Sequence, residues 1–127
     1  MSLRLKSVYD EAEPDDGRRL LVDRLWPRGM SRERLQLDAW LKELAPSDEL
    51  RRWYGHEPAK WDEFRRRYFS ELAARDGAVA ELLGMIGEDG ATLLFAARDR
   101  QRNNAVALRD YLQERLPPRA RTGKERS

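Results

Sequence analysis

Ala91-Thr92-Leu93-Leu94-Phe95-Ala96-Ala97 is the longest nearly apolar run in the chain, set between the turn residues Gly87-Glu88-Asp89-Gly90 and the charged segment 98–102. A run this short, without polar alternation and bounded by turn and charge signals, reads as a strand covered on both faces. It reaches only about a third of the ~20 residues a membrane-spanning helix requires. A second short apolar run, Leu20-Leu21-Val22, lies in the segment 18–25 and has the same character; Trp26-Pro27-Arg28-Gly29 breaks it. Two strands that need cover on both faces predict a layered α/β domain.

Working outward, residues 3–9 begin with period-two alternation at Leu3 and Leu5 and read as a first strand. The acidic stretch 10–17 combines Pro14, Asp15-Asp16 and Gly17 and returns the chain to the second strand. Ser31 is an N-cap candidate for a helix whose apolar residues Leu37, Trp40, Leu41 and Leu44 fall at i, i+3, i+4 and i+7, ended by Pro46. Ser47, with Asp48 and Glu49 behind it, starts a short helix that Gly55 closes. Pro58 starts a longer one with Trp61, Phe64, Tyr68 and Leu72 on one face, and Arg65-Arg66-Arg67 turned to solvent or a partner. Asp76-Gly77 separates it from a helix carrying Val79, Leu82, Leu83 and Ile86. The last helix runs from Asn103 or Asn104 to Leu116, with Ala105, Leu108, Leu112 and Leu116 on one face, and Pro117-Pro118 stops it. Strand, strand, helices, strand, helix predicts a small, at least partly parallel sheet with helices packed on it, in a single domain over residues 1–116. Three strands are legible, and a weak fourth is expected to hide in loop.

Composition narrows the chemistry. The 127 residues contain no cysteine and one histidine, which excludes a disulfide framework, a thiolate nucleophile and a His-rich metal site. No metal or cofactor is expected, and neither the phosphate-loop nor the dinucleotide-binding glycine pattern occurs. With no apolar N-terminal block, the reading is a cytoplasmic protein without a membrane segment. Charged residues make up 38% of the chain, at a net +2 and an isoelectric point near 9.1. The excess is local: residues 117–127 hold Arg119, Arg121, Lys124 and Arg126 against Glu125, so residues 1–116 are close to neutral. Those last eleven residues read as a basic, disordered tail. Arginine accounts for 21 of the 25 basic residues. That bias suits bidentate recognition of carboxylate or phosphate, and an Arg-rich codon usage would produce it equally.

In open parallel sheets ligands lie beyond the carboxyl ends of the strands. There the second strand runs into Asp23, Arg24, Trp26 and Arg28, and the buried strand into Arg98 and Asp99, followed by Asn103 and Asn104 at a helix start. If these strands are neighbours, Arg24, Arg28 and Arg98 meet over a helix N-terminus that favours an anion. The alternative for the arginines is an ion pair with Asp23 or Asp99, and for the asparagines simple capping. Asp99 is either an acid-base group or a turn residue. Trp26 is either a stacking platform for a ligand or a packing residue; Trp53 stays open in the same way, whereas Trp40 and Trp61 read as core. His56, in Tyr54-Gly55-His56-Glu57-Pro58, is a candidate general base or proton donor, or a loop histidine bonded to backbone.

Four blocks carry a resemblance. Leu21 to Gly29, Trp40 to Ser47, Leu50 to Pro58 with Trp61 and Phe64, and Thr92 to Asp99 followed by Asn103-Asn104-Ala105 resemble the YeaO-like branch of the domain of unknown function 488 family, over about residues 3 to 116. The resemblance implies a single compact α/β domain in a bacterial or archaeal, cytoplasmic family with no assigned activity. Its motif positions fall on Asp23, Arg24, Trp26, Pro27, Arg28, Gly29, Gly55, His56, Arg98, Asp99, Asn103 and Asn104. Two departures stand out: Arg102 occupies a position where similar members often have histidine, and the Cys-His-Arg element of more distant relatives has no counterpart in a chain without cysteine. The expected function is therefore binding of a small anionic ligand at the strand ends, with His56 or Asp99 as the acid-base group if there is a reaction. The alternatives are a nucleic-acid-associated module using residues 65–67 and the tail, or a self-association domain using Trp53 and Tyr54.

Overall fold

The computed structural model describes residues 3–86 and 90–115. Its centre is a four-stranded sheet of β1 (Leu3–Ser7), β2 (Arg18–Leu21), β3 (Ala39–Trp40) and β4 (Ala91–Phe95), in the order β1-β4-β2-β3. Every pair is parallel, with Lys6 opposite Leu94 and Leu21 opposite both Leu94 and Trp40. The apolar run 91–95 occupies the inner position between β1 and β2, and all five of its residues are buried. This is why it lacks polar alternation.

Side-chain alternation sends the strands into two layers. Leu20, Val22, Leu93 and Phe95 face a layer built from α2 (Asp48–Tyr54), α3 (Trp61–Ala73), α4 (Asp76–Met85) and α5 (Asn104–Arg115). Leu21 and Leu94 face the other side, where Val8, Met30, Leu35, Trp26, Leu37 and Trp40 cover them. Burying these side chains on both faces supplies the main driving force, roughly 1.5–3 kcal/mol for each large one. The acidic stretch 10–17 crosses this second face, with Pro14–Asp16 as a 3-10 turn. It is pinned by buried polar groups: Arg19 donates to Asp16 at 2.6 Å and to the Leu35 carbonyl at 2.9 Å, and Thr92 Oγ1 donates to the Asp16 carbonyl at 2.7 Å. Arg19 in a strand is thus a structural cation.

The helix expected from Ser31 to Pro46 is the main correction. Ser31 does cap a helix, accepting from the Arg34 amide, but that helix, α1, is only Arg32–Leu35 and ends in left-handed Gln36 (φ 48°). The chain then extends into β3, which supplies the fourth strand. Asp38 and Leu41 donate their amides to the Arg19 and Leu21 carbonyls, each at 2.8 Å, so the edge of β2 is paired. The helical spacing was a coincidence of two faces. Leu37 and Trp40 pack on the second layer, whereas Ala39, Leu41 and Leu44 pack on the first.

The remaining helices follow their sequence signals. Ser47 caps α2 by accepting from the Leu50 amide, and Gly55 ends it in the left-handed region (φ 54°). A 3-10 turn at Pro58–Lys60 leads into α3, whose Phe64, Tyr68 and Leu72 are buried. Both expected strands 3–9 and 18–25 stop early, because the turn after Ser7 and the loop after Val22 take the backbone out of the sheet. Leu116 and the expected tail 117–127 lie outside the described residues, as does the turn 87–89.

Candidate functional site

Because β2 and β4 are neighbours, the loops that leave their carboxyl ends share one edge of the sheet. Asp23 ties them together. Its Oδ2 accepts from the Ala96 amide at 2.9 Å, its Oδ1 accepts from Asn104 Nδ2 at 3.1 Å, and its carbonyl accepts from Trp40 Nε1 at 2.8 Å. Asn104 also donates to the Val22 carbonyl at 2.8 Å, which locks the start of α5 against the end of β2. Asn103 is the cap: its Oδ1 accepts from the Val106 amide at 3.0 Å, and its Nδ2 donates to the Asp99 carbonyl at 2.9 Å. Both asparagines thus make structural hydrogen bonds, and both border open space.

That space is a cleft of about 320 Å³. Asp23, Ala96, Asn103 and Asn104 form its inner edge at the sheet, while Trp26, Tyr54 and Phe64 contribute aromatic walls. Arg24, Arg28, Arg51 and His56 surround it from the loop after β2 and from α2. Tyr54 stacks on Phe64 with ring centroids 4.4 Å apart, and its hydroxyl donates to the Arg102 carbonyl at 3.2 Å. Trp26 donates to the Met30 carbonyl at 2.7 Å and meets Trp40 edge to face at 5.4 Å, so it packs and lines the cleft at once.

The basic groups differ in how they are held. Arg24 is half-buried, with its Nε 3.3 Å from the Pro46 carbonyl and 3.6 Å from Asp48. Arg51 shares the same carboxylate at 3.2 Å and is exposed. Arg28 is exposed, and among the described residues no carboxylate lies within ion-pair distance of its side chain. Its carbonyl accepts from the Tyr9 hydroxyl at 3.0 Å. His56 is exposed and adopts a left-handed backbone (φ 59°) directly after Gly55, a conformation uncommon outside glycine. Asp23 is the carboxylate of the cleft, and its shift runs opposite to those of Asp10, Asp16 and Asp99. Burial raises its pKa, against the Ala96 and Asn104 hydrogen bonds and the positive charge of His56 and Arg51.

Arg98 and Asp99 do not border the cleft. Asp99 instead organises the turn before α5, accepting from the Gln101 and Arg102 amides at 2.9 and 3.0 Å, and those bonds hold its carboxyl below the usual aspartate range. Arg98 is exposed beside it. Sequence reasoning missed Arg51, Tyr54 and Phe64 as cleft residues. The i, i+3 spacing of Arg51 and Tyr54 on α2 was the available signal, but nothing in the sequence says that α2 faces the strand ends.

Of the features expected to serve other partners, residues 65–67 and Trp53 are internally engaged, and the basic tail lies outside the described residues. Arg65 bridges Asp110 at 3.0 Å, Arg66 and Arg67 both bridge Glu63, and Arg67 and Lys60 lie over the Trp53 ring. Tyr54 is buried; among the described residues the exposed large apolar ones are Tyr9 and Leu25, both at the cleft. Among the described residues no helix is long and apolar enough to cross a membrane.

Fold and site together define a small parallel α/β domain with a basic, aromatic-walled cleft at its strand ends. The chain belongs to the family described as the inactive DUF488-N3 subclade, whose model matches residues 2–127. It is 42% identical over 112 residues to the uncharacterized protein YeaO of Escherichia coli K12, covering 88% of this chain and 97% of that one. It is equally 42% identical over 113 residues to the uncharacterized protein Rv3073c of Mycobacterium tuberculosis H37Rv, covering 89% and 95%. No solved structure matches the chain.

Proposed function

We propose that the cleft binds a small phosphate- or carboxylate-bearing ligand, with Arg24, Arg28, Arg51 and His56 around the anion. The observation that carries this reading is convergence: four basic side chains from two separate segments border one cavity at the start of a helix, and Arg28 has no carboxylate partner among the described residues. The free amides of a helix N-terminus add a positive end to the same space. The family description as inactive favours binding over turnover, and so does the use of Asp99 as a turn cap. In this reading His56 donates a hydrogen bond rather than shuttling a proton. Arg98 stands outside the contact set, and Asn103 and Asn104 shape the helix start.

Titration with inorganic phosphate, followed through the amide resonances of Asn104, Ala105 and Arg51, tests it. Arg28→Ala and Arg51→Ala each weaken the apparent affinity about fivefold or more, since each removes a charge-assisted hydrogen bond. Arg66→Ala, on the far side of α3 and paired with Glu63, leaves it unchanged. Equal losses from all three substitutions, or no phosphate-dependent shifts at the cleft, refute the proposal.

A further inference from the structure

The cleft is lined by one carboxylate as well as by its basic groups. Asp23 borders it at the sheet edge, and both neighbours of its carboxylate are neutral donors, the Ala96 amide and the Asn104 side chain. Among the described residues no lysine, arginine or histidine lies within ion-pair distance of it, although the same cleft carries three arginines and a histidine. Each oxygen already accepts one hydrogen bond, which suits the ionised form. A carboxylate has roughly four acceptor sites in all, so about one per oxygen is left over. A partly desolvated charge with spare acceptor capacity is costly unless a donor completes it.

Trp26, Tyr54 and Phe64 line the same cleft, and an aromatic lining suits a ring. The volume, about 320 Å³, is at the small end of ordinary small-molecule sites. We infer that the ligand is bipolar: a planar ring presenting two adjacent N–H donors to Asp23, joined to an anionic group held by Arg24, Arg28 and Arg51. This rests on the anion reading and adds the head that the anion carries. A purine monophosphate with a guanine-type edge has both parts. Its adenine counterpart does not, because a ring acceptor sits beside its single amine.

The test compares guanosine monophosphate, adenosine monophosphate and ribose 5-phosphate on the intact protein by calorimetry. The bidentate contact is expected to make guanosine monophosphate bind at least about tenfold tighter than either of the others. Asp23→Asn, which places an amide N–H donor where an acceptor stood, reduces that preference to about twofold or less. If the three phosphates bind equally, the bipolar ligand is overturned while the anion site stands. If none of them binds, the anion site falls too. Because Asp23 also fastens the Ala96 amide, the variant is checked for folding, and the wild-type ligand series decides the question by itself if it fails to fold.

Discussion

His56 is the residue where backbone strain and proposed contact coincide. A left-handed conformation costs a residue with a Cβ about 1–2 kcal/mol, and two such residues in succession, Gly55 and His56, turn the chain at the end of α2 toward the cleft. Glycine is free of that cost but loses more backbone entropy on folding. His56→Gly is therefore expected to keep or raise the melting temperature, by up to about 1 kcal/mol in stability, while weakening phosphate binding. Thermal unfolding paired with the phosphate titration checks both halves. A large loss of stability would show that the imidazole is a packing group. At this scale the sequence was informative: Arg24, Arg28 and His56 were legible as strand-end and loop residues of the right chemistry. What it did not distinguish was Asp99, a cap for two amides, from Asp23, the carboxylate that borders the cleft.

Among the elements, β3 shows how a pattern can mislead. Apolar residues at i, i+3, i+4 and i+7 satisfy a helix, yet here they distribute over both sides of a strand and the turn after it. Two facts decide for the strand. Gln36 leaves the helix in a left-handed conformation, and the β2 edge offers carbonyls to the Asp38 and Leu41 amides. Neither is a property of the local sequence. In native-state hydrogen exchange the Asp38 and Leu41 amides should be protected while the Leu37 amide, which has no acceptor among the described residues, exchanges faster, because only the amides turned to the β2 edge are held by the ladder. Uniform protection across residues 37–44 would restore the continuous helix. By contrast, α2 was legible to its last residue because Ser47 and Gly55 are local signals whose chemistry is the same in any tertiary setting.

For the whole molecule, the charge balance sets a pH response. Arg100 holds Asp10 below the ordinary aspartate value of 3.8, and the Gln101 and Arg102 amides do the same for Asp99. For Asp16, burial pushes upward but is outweighed by the Glu13 amide and by Lys6 and Arg19, so it too titrates below 3.8. A carboxylate depressed in the fold contributes stability that is complete above its unfolded pKa and disappears as pH falls through the folded one. Asp23 has the opposite sign: with a raised folded pKa, its ionisation opposes folding at neutral pH, and that cost is relieved on acidification. Three depressed carboxylates against one raised predict a stability curve that falls steeply below about pH 4. Asp10→Asn should flatten that acid limb in denaturant melts taken across pH; an unchanged slope would mean that the Arg100 pair contributes nothing in solution.

The sequence by itself determined the buried strand at 91–95, the helices with local caps, the absence of thiol chemistry and the basic character of the strand-end loops. These are properties of single residues or of short periodic runs, and they hold wherever the segment sits. The tertiary structure alone decided that β4 lies between β1 and β2, that residues 39–40 complete the sheet, and that α2 brings Arg51 and Tyr54 to the end of β2. Those outcomes depend on which edges and faces remain unpaired once the central strand is buried. Hydrogen-bond satisfaction and side-chain packing over long sequence separations settle them, and no local window of the chain contains that information.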